Sequence, residues 1–175
     1  ANASAIRVRY DYHRTCTRLF CEGYLRQYAD WCHENGLIFT GHMSGEGLLY
    51  YHTMQMGDFY EALSRLDVPG IDSIFSRQDI DRQDFGLEAK LLASVAKFAG
   101  KRDTMCETFS GSGWELSLEE AKRIINRLML GGVSYIIYMG GFMSLSGGRK
   151  SFPMGYPPSH GWNNTLFRHY GALSD

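Results

Sequence analysis

The amino-acid sequence predicts an α/β protein built from parallel (β/α) units with about four strands. Short apolar segments of strand length alternate along the chain with longer segments whose apolar residues recur every three or four positions, which is the period of a helix. Such alternation is typical of parallel strands joined by helical crossovers, and both a doubly wound sheet and a (β/α) barrel fit it. The length of 175 residues suits one domain.

The predicted helices follow from apolar stripes and from the residues that start and end them. In residues 12–33 the apolar side chains fall on one face, and Gly36 is predicted to end the helix because glycine readily takes the left-handed conformation. Ser117 and Glu120 form a capping box, in which each residue accepts a hydrogen bond from the other's backbone N–H. The predicted helices cover residues 12–33, 59–66, 87–98 and 118–130.

The predicted strands are short, apolar and bounded by loops. Val68, Pro69 and Gly70 are predicted to end the helix 59–66 ahead of the second strand, since Pro and Gly interrupt regular structure. Residues 43–56 and 76–84 are predicted to be loops, and residues 140–175 form a C-terminal loop region rich in Gly, Pro and aromatic residues. The predicted strands cover residues 37–40, 71–75, 104–109 and 133–139.

The composition disfavours several classes of partner and cofactor. The net charge is -1 and no basic stripe is present, so the sequence predicts no nucleic-acid partner and no anionic membrane partner. No apolar run approaches the ~18 residues of a membrane-spanning helix. No segment has the pattern of a signal peptide, and the compartment stays open. No phosphate-binding glycine motif follows a strand, and no cofactor is predicted. The four cysteines form no CxxC pair and are predicted to be free, buried thiols.

Polar side chains gather at the predicted carboxyl ends of the strands, where parallel α/β folds place their sites. His42 and Glu46 follow the first strand, and Asp72 lies in or beside the second. Glu107 lies near the end of the third strand and Tyr138 near the end of the fourth. A carboxylate inside an apolar strand is costly to bury unpaired, so Glu107 is expected either to form an ion pair at the rim or to point into a functional pocket. Two carboxylates from different strand ends are what cleavage of a glycosidic bond requires.

Two further interpretations of this region stay open. His42, Glu46 and Asp72 offer imidazole and carboxylate ligands for a metal ion, although the HxxxE spacing differs from the HExxH motif of zinc proteases. Aromatic side chains provide flat apolar faces with polar edges, which suit sugar subsites as well as ordinary packing. The aromatic residues considered for such subsites are Tyr50, Tyr51, Trp114, Tyr138 and Trp162.

Several short blocks of the sequence, taken together, resemble one enzyme family. The first combines Trp31-Cys32 and the segment from Gly36 to His42 with Glu46, and the next is Val68-Pro69-Gly70-Ile71-Asp72. The later blocks are Ser94-Val95-Ala96, Glu107-Thr108-Phe109, Gly113-Trp114, Gly132-Val133, Ser144, Gly148-Arg149-Lys150 and Pro157-Pro158-Ser159. They are similar to segments of the α-L-rhamnosidase-like bacterial enzymes related to glycoside hydrolase family 106. The resemblance extends from about Tyr10 to Tyr170.

The resemblance implies a TIM-barrel catalytic domain and hydrolysis of a glycosidic bond in a carbohydrate substrate. It implies that Glu107 and Glu46 face the cleft, and we predict that they form the catalytic pair. The residues predicted to bind or orient the sugar are His42, Asp72, Tyr138 and Trp114. The alternative is a non-catalytic carbohydrate-binding or assembly half-barrel, which keeps the cleft but lacks a competent carboxylate pair.

Four (β/α) units make half of an eight-stranded barrel, so we expect residues 1–175 to form a single partial (β/α) barrel domain. The two edge strands of half a barrel expose unpaired backbone groups and apolar inner faces. Another structure must cover them. We therefore expect either a homo-oligomer or a longer protein that contains the rest of the barrel.

Overall fold

The computed structural model describes residues 3–74, 86–151 and 156–174. Four parallel strands form one sheet in the order β1-β2-β3-β4, and the sheet is curled like half of a barrel. This confirms the prediction of an α/β fold built from parallel (β/α) units. The strands are β1 (Thr40–Gly41), β2 (Val68–Ser73), β3 (Met105–Thr108) and β4 (Tyr135–Tyr138).

Helices pack outside the sheet and connect its strands. A π-helical turn at Cys21–Leu25 joins the first two helices, and short 3₁₀ turns occur at Gly147–Lys150 and Phe167–His169. No helix among the described residues is both long enough and apolar enough to span a membrane. The helices are α1 (Ala3–Phe20), α2 (Arg26–Glu34), α3 (Leu49–Met56), α4 (Phe59–Leu63), α5 (Leu87–Phe98), α6 (Leu118–Gly131) and α7 (Gly171–Ser174).

The first helix begins much earlier than predicted. It starts at Ala3 instead of residue 12 and runs through the π-helical turn to Glu34. Within α1 the one buried residue is Thr17, so the first turns carry no buried apolar stripe that periodicity could detect. The predicted start was therefore wrong because the signal used to find helices is absent from that part of the helix.

The predicted loop over residues 43–56 is confirmed for residues 43–48 and wrong for the rest, because α3 occupies Leu49–Met56. The only buried residue of α3 is His52, while Tyr50 is 73% exposed. A helix that buries a histidine and exposes its aromatic residues shows no apolar stripe in the sequence.

The start of β2 corrects a third prediction. The preceding helix does end before Val68, but Val68 and Pro69 pair with β1, so the strand begins at Val68 instead of the predicted residue 71. Pro69 is tolerated because pairing with β3 begins only at Gly70, where a backbone N–H is first needed. Only Thr40 of the predicted strand 37–40 lies in β1. The predicted loop 76–84 and Phe75 lie outside the described residues.

The two faces of the sheet differ in what they contact. Ile71 of β2 and Cys106 of β3 are fully buried in the core with Leu92 of α5 and Ile124 of α6. Successive side chains of a strand point to opposite faces, so the neighbours of these residues along each strand point to the concave side. All four cysteines are free, as predicted, but only Cys21 and Cys106 are buried, and Cys16 is exposed.

His160 lies in the C-terminal region, among the side chains that pack around Tyr138. Its ring centroid is 4.9 Å from that of Tyr170 and 5.5 Å from that of Tyr138. Neither ring nitrogen has a hydrogen-bond partner among the described residues, and the side chain is buried. Burial lowers the pKa of His160 to about 4. The folded chain therefore resists protonation of this ring.

We expect His160 to make the fold acid-sensitive. A histidine in the unfolded chain has a pKa of about 6.5. The stability of the fold that holds His160 neutral is therefore complete above that pH and is lost as the pH falls toward 4. The loss amounts to about 2.5 kcal/mol at pH 4.5. Urea unfolding at pH 7 and pH 4.5 should show a smaller acid loss in His160→Phe than in the wild type. An equal loss in both proteins would contradict this explanation.

Candidate active site

Three of the predicted site residues meet at the carboxyl ends of β1, β2 and β3. His42 directly follows β1, and Asp72 and Glu107 are direct partners in the register between β2 and β3. Because register partners point to the same face of a sheet, both carboxylates lie on the concave side. Their side chains stay 36% and 26% exposed respectively, so solvent and small ligands can reach them.

His42 connects two carboxylates that are far apart in the sequence. Its Nε2 lies 2.8 Å from Oε2 of Glu107, and its Nδ1 lies 3.2 Å from Oε1 of Glu46. The same Nδ1 is 2.7 Å from the carbonyl oxygen of Met43 and 4.0 Å from Oδ2 of Asp72. All these neighbours are hydrogen-bond acceptors, so an imidazolium that donates from both nitrogens satisfies the arrangement. The two predicted catalytic glutamates thus lie on either side of one histidine.

Glu46 differs from the other two carboxylates because it is almost completely buried. Its side chain is 1% exposed, and Oε1 accepts a hydrogen bond of 2.7 Å from the backbone N–H of Met43. Gly45 turns the chain with φ of +75°, and a Cβ there would lie 3.2 Å from the backbone nitrogen of His52. His52 in turn donates from Nδ1 to the carbonyl oxygen of Ser44, at 3.0 Å. Helix α3 therefore holds the loop that presents Glu46, and sequence analysis did not find His52 because no motif marks it.

The electrostatics of the cluster favour a cation at His42 and a weakly acidic Asp72. The hydrogen bond to Glu46, supported by the charges of Glu46 and Asp72, outweighs burial and raises the pKa of His42 to about 9. Burial and the charge of Glu46 raise the pKa of Asp72 to about 6, with further contributions from Glu107 and Glu88 and against the effect of His42. In this cluster Asp72 keeps its proton to a higher pH than usual, and the carboxylate of Glu46 lies beside the cationic ring of His42.

The cluster also has the donor set of a cation site. Ligand-type atoms of His42, Glu46 and Asp72 all lie within 4.8 Å of one another. Two carboxylates suit calcium or magnesium, and an imidazole nitrogen suits zinc. Nδ1 of His42 would have to release the proton it donates to Met43 before it could bind a metal.

The structure points Tyr138 away from this cluster and joins Trp114 to the C-terminal region of the chain. Tyr138 is the register partner of Thr108, one residue beyond Glu107, so its side chain points to the opposite face of the sheet. Its hydroxyl donates to the carbonyl oxygen of Tyr170 at 3.0 Å, and its ring stacks on Phe109. The indole N–H of Trp114 donates to a backbone carbonyl in the 3₁₀ turn Gly147–Lys150. Both residues contact the C-terminal region of the chain.

Comparisons of this chain with protein-family models, with curated proteins and with solved structures found no match. The arrangement of His42, Asp72 and Glu107 at the strand ends is therefore the basis for assigning a function.

Proposed function

We propose that this chain carries part of the active site of a glycoside hydrolase, with Glu107 as a catalytic carboxylate. The observation that supports the proposal most directly is the register pairing of Glu107 with Asp72. It puts two partly exposed carboxyl groups side by side at the ends of β2 and β3. Cleavage of a glycosidic bond needs a pair of carboxyl groups, one to donate a proton and one to attack the sugar or activate water.

The three carboxylates differ in how deeply they are buried, and this difference assigns them different roles in the proposed reaction. Glu46 is 1% exposed and accepts hydrogen bonds from His42 and Met43, so in this proposal it positions His42 and does not touch the sugar. Asp72 is the carboxyl group beside Glu107 and holds a proton up to a higher pH than an ordinary aspartate, since burial raises its pKa to about 6. Asp72 is therefore proposed as the acid and as the catalytic partner of Glu107, a partnership that the sequence analysis assigned to Glu46 without dividing the acid and base roles.

We assign a retaining reaction to this pair. Register partners on adjacent strands have backbones about 4.8 Å apart, so their carboxyl groups can approach to the separation of about 5–5.5 Å that retaining glycosidases use. In the first step, a Glu107 oxygen bonds to the anomeric carbon while the bond to the leaving oxygen breaks and that oxygen takes the proton of Asp72. In the second step, Asp72 takes a proton from water, whose oxygen replaces Glu107 at the same carbon. His42 holds one oxygen of Glu107 in place throughout.

The test is hydrolysis of a panel of aryl glycosides that includes α-L-rhamnosides, with the first-formed anomer identified by NMR. We expect release of the sugar with retention of configuration. Release with inversion would remove Asp72 from its assigned role and leave Glu107 as a candidate. Glycan binding without release would favour a non-catalytic carbohydrate-binding half-barrel. The absence of both binding and release would overturn the proposal.

A metal-dependent hydrolase is the second candidate function, favoured by the 4.8 Å grouping of His42, Glu46 and Asp72. A bound divalent cation would supply a Lewis acid or an activated water. We expect such an enzyme to lose turnover on dialysis against a chelator and to regain it with calcium or zinc. Full activity after chelation, with no metal detected by elemental analysis, would dismiss this candidate.

A further inference from the structure

The curled sheet has two open edges. β1 pairs only with β2, and β4 pairs only with β3, among the residues that the structure describes. Each edge strand therefore has backbone groups directed away from its only neighbour in the sheet. All three observed pairings are parallel and follow the chain order, as in a (β/α) barrel. An eight-stranded barrel would need four more parallel strands, entering beside β4 and ending beside β1.

Both edges carry exposed apolar side chains. We call the residues around β1 the first-edge patch. Tyr28 of α2 stacks on Phe39 just before β1, with ring centroids 6.2 Å apart, and both residues line a groove of about 540 Å³. The first-edge patch consists of Tyr24, Tyr28, Trp31, Leu37 and Ile38, each at least half exposed.

We call the residues around β4 the fourth-edge patch. Tyr135 and Ile137 are register partners of Met105 and Glu107, so they point to the concave side, where they are 52% and 43% exposed. Met129 is 37% exposed in the last turn of α6, the helix that leads into β4. The fourth-edge patch consists of Met129, Tyr135 and Ile137.

We propose that a second copy of this chain closes the half-barrel, with β4 of each copy pairing with β1 of the other. The two copies would be related by a twofold axis along the barrel. Rotation about an axis that runs along the barrel leaves the strand direction unchanged, so both new contacts are parallel, like the three pairs within the sheet. A closed ring of eight strands has no free edge, and association stops at two copies.

The apolar area at the edges is sufficient for a stable dimer. The two patches of one copy contain eight large side chains. Each side chain exposes on the order of 100 Å², so the patches together expose about 800 Å² per copy. A standard stable interface buries about 800 Å² per partner. The same closure would bring both copies of the cluster around His42 to one rim of the barrel, because the twofold axis preserves the direction of the strand ends.

Sedimentation equilibrium of the full chain measures the assembly state directly. We expect a mass of twice 19.9 kDa that stays constant as the protein concentration rises. A wild-type chain that is monomeric at micromolar concentration, or whose mass rises without limit, would overturn the proposal. Either result would mean that the two edges do not close on each other as a pair.

Charged variants at the edges test which surfaces meet. Ile137→Lys on β4 and Ile38→Glu before β1 should each give folded monomers. Phe98→Lys is the matched control, because Phe98 is 84% exposed on α5, between the two edges, and its variant should remain dimeric. Circular dichroism melts separate a folded monomer from an unfolded chain.

Mixing the two edge variants gives a test that does not depend on loss of structure. In a mixed dimer one contact has the introduced Lys beside the introduced Glu, and the other contact is unaltered. We therefore expect the mixture to form dimers although neither variant does alone. A mixture that stays monomeric, or an Ile38→Glu chain that dimerises alone, would show that β4 does not meet β1 of another copy.

Discussion

Glu107→Gln should lower turnover by at least about 10³-fold while the fold is retained. The amide cannot attack the anomeric carbon as a carboxylate does, and it cannot become a good leaving group when water arrives. Its oxygen can still accept the hydrogen bond that His42 Nε2 makes to Oε2 at 2.8 Å in the wild type. The variant therefore removes the reacting group and preserves the contact that holds the side chain in place.

The measurement is kcat on the best aryl glycoside of the panel, with unfolding in urea measured in parallel. Glu61→Gln is the matched control, because Glu61 lies on α4, is 43% exposed and pairs weakly with Arg65 at 3.8 Å. It should leave kcat unchanged. A Glu107→Gln enzyme that keeps turnover within about tenfold of the wild type would remove Glu107 from catalysis.

Those parts of the fold that rest on local chemistry could be predicted from the sequence. The capping box of α6 is confirmed, since Ser117 Oγ accepts from the Glu120 N–H at 3.2 Å and Glu120 Oε2 accepts from the Ser117 N–H at 2.9 Å. The alternation of apolar strands with helices likewise predicted the parallel sheet that the structure shows. Where a helix buries almost nothing apolar, as in α3 and the first turns of α1, periodicity has no signal and prediction fails.

Only part of the site could be predicted, again because the sequence carries local signals and no tertiary ones. The position of a carboxylate at a strand end is a local property, and the sequence located His42, Asp72 and Glu107 correctly at the ends of their strands. The face on which a strand residue points depends on register, and a difference of one residue placed Tyr138 opposite Thr108, on the other face from Glu107.

The burial of Glu46 is a tertiary property. It results from the packing of α3 against the loop, where His52 contacts Ser44 at 3.0 Å. The hydrogen bond between His42 and Glu107 joins residues 65 positions apart, and no sequence pattern of such length specifies it. These contacts determine which carboxylate can reach a substrate. They could be identified only from the folded structure.

His42→Gln should lower the free energy of unfolding at pH 6 by about 3 kcal/mol. In the wild type His42 is the cation beside Glu46, whose side chain is 1% exposed, at 3.2 Å. Without that cation the buried carboxylate keeps the backbone N–H of Met43 but has lost its charge partner. Removing one member of a buried ion pair is costly because the other charge stays buried.

The pH dependence of this effect has a definite sign. The pKa of His42 is raised to about 9, so its charged form stabilises the fold fully below pH 6.5, and this contribution is lost as the pH rises through 9. The stability difference between the wild type and His42→Gln should therefore shrink between pH 6.5 and pH 9. His33→Gln is the control, because the exposed pair of His33 with Asp67, at 2.8 Å, should be worth less than about 1 kcal/mol.

A double-mutant cycle with Glu46→Gln isolates the pair itself. When the buried charge is already absent, replacing His42 should cost much less, which gives a coupling energy of about 2 kcal/mol between the two positions. Equal losses from His42→Gln in both backgrounds would show that the histidine does not act through Glu46. In that case Glu46 would no longer be the residue that fixes His42, and the ordered placement of Glu107 would need another cause.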